Sequence, residues 1–298
     1  LTVDQDDHVR VPPDDPSYTL RRVWLSKQEE DGYYYGFANK ALWPLCHLAY
    51  TRPLFEEREW EIYRAVNQKF ADAVLEEVGE RHAFVFIQDY HLALLPPLLK
   101  RPNIRTAQFW HIPWPNPEVF RICPWADAIL DGLLGNDLLG FHVRYHCQNF
   151  LDTVDRMVEA RVDDERFTVT RRGCLTRVRP FPISVDFEVI SQNASSPAVE
   201  AEMDRLRRQH RLRDQLIAVG VDRVDYTKGI PERLRAVDRF LEHYPEFQRR
   251  FVFVEIAASS RLRLEAYQRV NDEINQLVET INWKYQVDHW KPILHLKE

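Results

Sequence analysis

The sequence predicts an α/β protein made of two successive units, each built around a parallel sheet. Residues 83–87 (AFVFI) and 251–257 (FVFVEIA) are short, almost continuous apolar runs, which is typical of strands covered on both faces. Residues 57–78 repeat apolar side chains at helical spacing, so an amphipathic helix is expected there. Because strands alternate with helices along the chain, parallel sheets of the α/β type are favoured.

The remaining elements continue this alternation. Further strands are expected at 104–110, 137–141, 216–221 and 293–296, and further helices at 144–159, 230–243 and 262–283. Residues 167–170 and 174–179 alternate apolar and polar side chains around Arg172-Gly173, which predicts a hairpin. Residues 191–197 (SQNASSP) are rich in Ser, Asn and Pro, so we predict a linker there and two domains, 1–195 and 196–298.

The composition is that of a globular chain able to bury a full core, with 298 residues, 45% of them apolar and 29% charged. The net charge of −6 argues against a nucleic-acid or membrane-surface partner. The basic run within 205–213 is expected to be a solvated helix face. No apolar run approaches the roughly 18 residues of a membrane span, and no signal peptide opens the chain. A soluble, cytoplasmic protein is expected.

The spacing of the cysteines and histidines predicts no metal site. Cys46, Cys123, Cys147 and Cys174 show no CxxC spacing, so neither a zinc site nor a disulfide framework is indicated. We expect four buried or half-buried thiols in a reducing compartment. His142 and His146 lie four residues apart, but no glutamate between them matches a metalloprotease helix.

Polar loops follow four of the predicted strands, and ligands of α/β folds bind where such loops gather. The four loops are QDYH at 88–91, HIPWP at 111–115, DRVDYTKG at 222–229 and ASSR at 258–261. They present Asp89, His111, Arg223 with Lys228, and Arg261 to what we expect to be one crevice. Two alternatives with a purely structural role stay open, namely that His111 is a histidine whose hydrogen bonds are satisfied within the protein and that Asp89 caps a turn.

The third loop has the chemistry of an anion site. Arg223 and Lys228 flank a tight connection closed by Gly229, directly before a helix that is expected to begin at residue 230. Helix N-termini carry unpaired N–H groups and partial positive charge, so two added cations suit a diphosphate. The alternative is that both cations form surface ion pairs with Asp222 and Asp225, since no GxGxxG or Walker signature is present.

An aromatic cluster occupies residues 33–43. Its members are Tyr33, Tyr34, Tyr35, Phe37 and Trp43, around Gly36 and Asn39. Aromatic faces with interleaved amides suit the surface of a sugar, and they suit a protein core equally well.

Six segments, taken together, resemble the trehalose-6-phosphate synthase family, glycosyltransferase family 20. They are YYYGFANKALWPLCH (33–47), FIQDYHLALLP (86–96), FWHIPWPNPEVFR (109–121), LLGNDLLGFHVRYHCQNFL (133–151), VDRVDYTKGIPERL (221–234) and IAASSRLRLEAYQ (256–268). They occur in the order of the family and span most of the chain from about residue 30 onward.

The resemblance implies a GT-B fold, in which two Rossmann-like domains face a cleft. It makes 1–195 the acceptor-side domain and 196–298 an incomplete nucleotide-sugar domain. Arg223 and Lys228 would then hold the diphosphate of the donor, and His111 would touch the donor glucose near its reacting carbon. Asp89 would bind sugar hydroxyls. Tyr34, Trp43 and Arg261 would line the acceptor pocket, with Arg261 reaching the acceptor's phosphate.

The resemblance also implies an activity, which is metal-independent and cofactor-free transfer of glucose with retention. UDP-glucose is the first choice of donor and glucose-6-phosphate the first choice of acceptor, which gives trehalose-6-phosphate. The alternatives are glycerol 3-phosphate as acceptor and a catalytically inactive regulatory homologue. Partners are expected to be small-molecule substrates, together with a homo-oligomer or a second chain that supplies missing segments.

The chain departs from the family pattern at four points. No glycine-rich loop precedes residue 30, and the chain reaches Glu298 before the family's acidic donor-binding residues. Trp114 and Lys40 differ from the residues that the family usually has in two of the segments, and we expect both to change the acceptor pocket.

Overall fold

A computed structural model describes residues 7–48, 51–212 and 214–297. The predicted α/β class is confirmed, because strands and helices alternate and form parallel sheets. The chain divides into two compact units, Leu1–Ile183 and Ser184–Glu298, so the boundary lies before the predicted one at 195.

The first unit opens with a two-stranded hairpin that is attached to its longest helix. The hairpin strands are β1 (His8–Val11) and β2 (Tyr18–Arg21). Arg21 pairs with Glu76 and Glu77 at 2.8 Å, and both carboxylates lie at the end of α3 (Glu57–Val78). The predicted bounds of α3 are confirmed.

A six-stranded sheet forms the centre of the first unit, in the order β3-β4-β5-β8-β7-β6. Its strands are β3 (Ala83–Gln88), β4 (Ile104–Phe109), β5 (Leu138–Phe141), β6 (Arg161–Asp163), β7 (Thr168–Arg171) and β8 (Cys174–Pro180). The pairs β3-β4, β4-β5 and β5-β8 are parallel. β7 and β8 form the predicted hairpin, and β6 extends it with a further antiparallel pair.

The helices of the first unit accompany this sheet. They are α1 (Lys27–Glu30), a π-helical segment Asp31–Leu42, α2 (Trp43–His47), α3, α4 (Leu95–Leu98), α5 (Pro117–Phe120), α6 (Ala126–Leu133) and α7 (Arg144–Met157), with a 3₁₀ turn at Tyr90–Leu92. The predicted helix at 144–159 is confirmed as α7, which ends two residues early.

The prediction that β3 is covered on both faces is wrong for the part of the chain that the structure describes. Ile87 packs with Ala71 of α3 and Leu95 of α4 in a buried cluster. Phe84 and Phe86 point to the opposite face, where they are 68% and 59% exposed. The apolar run identified the strand correctly but did not reveal that one of its faces is open.

The predicted linker at 191–197 is also wrong, because α8 (Phe187–Ala194) and α9 (Pro197–Gln209) take up this segment and leave only Ser195 and Ser196 between them. The side chain of Ser196 accepts a hydrogen bond from the backbone N–H of Val199, and Pro197 occupies the first turn of α9. Ser before Pro is the preferred start of a helix, so the pattern was a capping signal and not a linker signal.

The second unit is a three-stranded parallel sheet packed on two helices, in the order β11-β10-β9. Its further elements are β9 (Leu216–Arg223), α10 (Ile230–His243), β10 (Phe251–Ala258), α11 (Glu265–Tyr285) and β11 (Ile293–Leu296), with 3₁₀ turns at Tyr226–Lys228 and Pro245–Phe247. Leu234 and Leu241 of α10, Ile274 of α11, and Phe253 and Ile293 of the sheet share one buried core.

The surface predictions largely hold. Helix α9 is exposed along its length, as expected for a solvated basic face, although Arg213 of that run lies outside the described residues. The cysteines are free thiols, three buried and Cys174 half-buried, as expected. Burial raises the pKa of Cys123 to about 12, which keeps this thiol protonated. Among the described residues, no helix combines the length and apolar character that crossing a membrane requires.

Candidate functional site

Asp89 is held in a strained backbone conformation at the end of β3. Its φ is 66° and its ψ −177°, a region that is otherwise almost confined to glycine. Its backbone N–H donates to the carbonyl of Phe109 on the neighbouring strand at 2.7 Å. Its Oδ1 accepts a hydrogen bond from the backbone N–H of His111 at 3.0 Å. The carboxylate therefore bridges two strand ends, and its side chain does not cap the following 3₁₀ turn.

The electrostatics of Asp89 fit a functional carboxylate. Burial raises the pKa of its side chain, while the backbone N–H groups of His111 and Tyr90 oppose that change. Residues that combine backbone strain with a perturbed pKa concentrate at functional sites. Both observations single out Asp89 within the first unit.

A chain of hydrogen bonds between buried polar side chains supports the backbone of Asp89. Nε2 of Gln108 donates to the carbonyl of Asp89 at 3.0 Å, and Oε1 of Gln108 accepts from Asn136 at 2.9 Å. The hydroxyl of Thr176 then donates to the carbonyl of Asn136 at 2.8 Å. These three residues were not predicted from the sequence; the signal for two of them is a Gln and a Thr among the inward-facing residues of apolar strands. Because the three side chains are buried and bonded, they fix the strained loop.

Changing Asp89 to glycine is expected to give a more stable protein than changing it to alanine, by about 1 kcal/mol. Both variants lose the carboxylate, so their difference isolates the backbone strain. Urea unfolding measures it. In the matched pair at Asp72, an exposed position of α3, the order is expected to reverse, because glycine weakens a helix interior. Equal stabilities of the two Asp89 variants would contradict the strain.

His111 lies beside Asp89 with an exposed imidazole. Its Nε2 is 2.7 Å from Oε1 of Gln88, and its ring centroid is 5.8 Å from that of His142. The structure therefore brings His111 and Asp89 together and leaves the imidazole accessible, unlike a satisfied core histidine. His146 instead contacts the backbone of Trp114. The described residues contain no group of three or more His, Cys, Asp or Glu side chains that fits a metal ion.

The aromatic cluster divides between core and surface. Tyr33 and Phe37 are buried core residues, whereas Tyr34 is half-buried and stacks on His91 with ring centroids 5.5 Å apart. Trp43 is 8% exposed, and its ring centroid lies 6.1 Å from that of Tyr90. Tyr34 and Trp43 thus pack against residues 90 and 91, directly after Asp89. The core alternative holds for part of the cluster only.

Trp114 and Lys40 do not have the role expected from the sequence. Trp114 is fully buried, and its Nε1 donates to the hydroxyl of Thr153 at 3.1 Å. Its position in the core excludes it from a binding pocket. The ammonium of Lys40 pairs with Glu56 at 2.9 Å and Glu59 at 2.5 Å, so it serves a salt bridge on α3.

In the second unit, Arg223 and Lys228 lie at the carboxyl end of β9. Both side chains are exposed, and neither has a carboxylate partner in the described part of the chain. Gly229 has a φ of 64°, in the left-handed region that favours glycine, and it turns the chain into α10. Two available cations therefore stand at the start of a 14-residue helix.

The ion-pair alternative for these two cations is wrong, because both predicted partners are engaged elsewhere. Asp222 pairs with Arg233 at 2.6 Å. Asp225 is fully buried, and its Oδ1 accepts from the backbone N–H of Thr227 at 3.0 Å. The arrangement leaves the positive charge of Arg223 and Lys228 available to an anion.

Arg261 belongs to the same group of strand ends, because β10 ends beside β9. The Arg261 side chain is 7% exposed, and its guanidinium donates to the hydroxyl of Tyr267 at 2.8 Å; that hydroxyl donates to Asp225 at 3.2 Å. Arg261 is thus a positioned cation, in contrast to the exposed side chains of Arg223 and Lys228.

A buried ion pair supports this end of the second unit. Arg233 of α10 reaches Glu255 of β10 at 3.1 Å, and the Glu255 side chain is fully buried. The guanidinium of Arg233 passes over Gly220. A Cβ added at Gly220 would lie 2.3 Å from Nη1 of Arg233 and 2.6 Å from Oε2 of Glu255. Burial raises the pKa of Glu255, and Arg233 opposes that shift. Neither Arg233 nor Glu255 was predicted from the sequence as part of the site.

Comparison with known proteins decides the family. The model of glycosyltransferase family 20 matches residues 2–298. The chain belongs to glycosyltransferase family 20. It is 37% identical to a trehalose-6-phosphate synthase of Mycobacterium avium, over 98% of this chain and 61% of that protein. It is 34% identical to an alpha,alpha-trehalose-phosphate synthase [UDP-forming] of Schizosaccharomyces pombe, over 95% of this chain and 57% of that protein.

Solved structures confirm the α/β fold class of GT-B type for this family 20 chain. An E. coli protein bound with UDP-2-fluoro glucose matches with a TM-score of 0.88 and 29% identity, over 99% of this chain and 64% of that one. A UDP-forming synthase of Burkholderia xenovorans in complex with glucose-6-phosphate gives 0.87 and 27%, over 94% of this chain and 62% of that one. The family 20 chain thus spans less than two thirds of each of these relatives.

Proposed function

We propose that the protein containing this chain transfers glucose from a nucleoside-diphosphate-glucose, with UDP-glucose as first choice, to glucose-6-phosphate, which forms trehalose-6-phosphate. One observation carries the proposal. Arg223 and Lys228 have no acidic partner in the described chain and stand before the first turn of α10. A diphosphate is the anion that two cations and a helix N-terminus accommodate best. Membership of family 20 supports this assignment.

The two cations supply the main catalytic effect in this proposal. The bond between the anomeric carbon of glucose and the diphosphate oxygen breaks, and negative charge develops on the departing nucleoside diphosphate. Arg223 and Lys228 stabilise that charge without a metal ion. The departing phosphate oxygen takes the proton of the acceptor hydroxyl. The acceptor oxygen then bonds to the anomeric carbon on the face from which the diphosphate leaves. Retention then requires no pair of carboxylates about 5 Å apart, as retaining glycosidases use.

Residues of the first unit position the sugars. Asp89 accepts hydrogen bonds from sugar hydroxyls, and the backbone N–H of His111 holds its carboxylate in place through Oδ1. His111 presents its imidazole near the reacting carbon. Tyr34 and Trp43 contact the acceptor sugar through their ring faces. Arg261 of the second unit binds the phosphate of the acceptor, and Tyr267 and Asp225 hold its guanidinium in place.

A product assay of the full-length protein tests the proposal. UDP-, GDP- and ADP-glucose are each combined with glucose-6-phosphate and with glycerol 3-phosphate, and the products are separated and identified. Trehalose-6-phosphate from UDP-glucose is the expected product. Formation of glucosylglycerol phosphate instead would identify glycerol 3-phosphate as the acceptor in place of glucose-6-phosphate. Absence of every product, together with absence of UDP binding by calorimetry, would indicate an inactive homologue and contradict the proposal.

A further inference from the structure

We propose that this chain has a second phosphate-binding site, on the open face of the β6-β7-β8 hairpin extension, for a small molecule that carries two or more phosphate groups. This inference goes beyond the proposed function, and no residue of the proposed donor or acceptor sites contributes to it. Arginines of two strands, one helix and one turn line a groove of about 690 Å³ there.

The strand register builds the floor of this groove. Val169, Thr176 and Val178 point inward and are buried, so the alternate residues of the same strands face outward. Arg161 lies opposite Thr170, which lies opposite Leu175. Asp163 lies opposite Thr168, which lies opposite Arg177. The face thus carries a guanidinium at each of two diagonal corners and two threonine hydroxyls between them.

Two further arginines are fixed at the rim. The guanidinium of Arg144 lies 4.4 Å from the ring centroid of Phe167, in a cation–π contact. Nη1 of Arg179 donates to the carbonyls of Arg166 and Phe167, each at 2.9 Å. Side chains that are already held lose little conformational freedom on binding an anion. This distinguishes the groove from an ordinary solvated face.

The charge of the groove is strongly positive in a chain of net charge −6. Five arginines line it, against two acidic residues, Asp163 and Glu165. Asp163 is occupied, because its Oδ1 accepts from the backbone N–H of Arg166 at 2.9 Å. Arg161 and Arg177 have no carboxylate partner among the described residues, whereas the neighbouring Arg171 pairs with Asp131.

The chemistry of these groups selects the ligand class. Guanidinium groups bind phosphate in a bidentate manner, and threonine hydroxyls add hydrogen bonds to the same oxygens. The Cα atoms of these two arginines lie about 12 Å apart by strand spacing and rise, which leaves room between their guanidinium groups for more than one phosphate. We therefore assign the site to a ligand with several linked phosphates. The net negative charge of the chain argues against nucleic acid as the occupant.

Calorimetric titration with inorganic tripolyphosphate tests this site in the 298-residue chain. The background is the Arg223→Ala/Lys228→Ala variant, which lacks the proposed donor site, and the buffer has about 0.15 M ionic strength to screen weak surface binding. One tripolyphosphate is expected to bind per chain. Adding Arg161→Ala and Arg177→Ala is expected to weaken that binding at least tenfold, and Arg161→Gln with Arg177→Gln to do the same.

The matched control removes two charges from an exposed helix instead, with Arg207→Ala and Arg208→Ala on α9. This control is expected to leave the affinity within twofold, and the thermal midpoint of each variant verifies the fold. The proposal would be overturned by no binding in the background, or by equal weakening in the control. Because the background already lacks Arg223 and Lys228, neither result depends on the proposed function.

Discussion

Replacing Lys228 by alanine is expected to lower the turnover of the full-length protein by about a hundredfold or more, while the fold stays intact. The ammonium is exposed and has no carboxylate partner in the described chain, so its removal breaks no internal ion pair. In the proposed reaction it stabilises charge that develops only as the diphosphate departs, so the loss is expected mainly in kcat. Steady-state rates with UDP-glucose, measured beside UDP affinity, separate this effect from binding.

Arg239→Ala is the matched control for this experiment. Arg239 lies on the same helix, α10, but its partner is Glu242 at 2.9 Å and both side chains are exposed. Such a pair contributes little, so turnover is expected to stay within twofold of the parent. Arg223→Ala is expected to behave like Lys228→Ala. Unchanged turnover in either variant would refute the role assigned to that cation.

Replacing Arg233 by methionine is expected to cost about 3 kcal/mol of unfolding free energy or more. Glu255 is fully buried and would lose its cation, and Asp222 would lose a partner at 2.6 Å. Burial already raises the pKa of Glu255, and the loss of Arg233 removes an opposing effect. When the pKa of a carboxyl is higher in the folded protein than in the unfolded one, its contribution to stability is fully present at pH values below the unfolded-state pKa. That contribution is lost as the pH rises through the folded-state pKa. The deficit is therefore expected to grow from acidic to neutral pH.

Chemical unfolding at neutral and acidic pH measures this deficit. A second variant combines Arg233→Met with Glu255→Leu, and it is expected to recover most of the loss, because an apolar pair can replace a buried ion pair. Arg239→Met on the same helix is the control, with an expected cost within about 0.5 kcal/mol. A deficit that is equal at both pH values would show that Glu255 is not an uncompensated charge in the variant.

Much of the fold could be predicted because its pattern is local. Helix α3 and helix α10 have the predicted bounds, since both have amphipathic faces and Gly229 marks the turn before α10. The prediction of a linker at 191–197 was wrong because Ser-Pro can cap a helix as readily as it can form a loop. The prediction that both faces of β3 are covered was wrong because the covering of a face depends on tertiary packing, which an apolar run does not encode.

The candidate site divides in the same way. The strand-end positions of Asp89, His111 and Arg223 followed from the alternation of strands and helices. The partner of Asp222 did not, because Arg233 reaches it from α10 over a path that Gly220 leaves open. The support of Asp89 by Gln108 and Asn136 was equally hidden, since it joins Gln108 on β4 to residues just outside the neighbouring strands, which only the sheet register brings together.

A crystal structure of the 298-residue chain with UDP tests the central claim most directly. Diphosphate oxygens are expected within about 3 Å of the guanidinium of Arg223 and the ammonium of Lys228, above the first turn of α10. A diphosphate bound elsewhere, with both side chains directed away from it, would rule out the donor site proposed here.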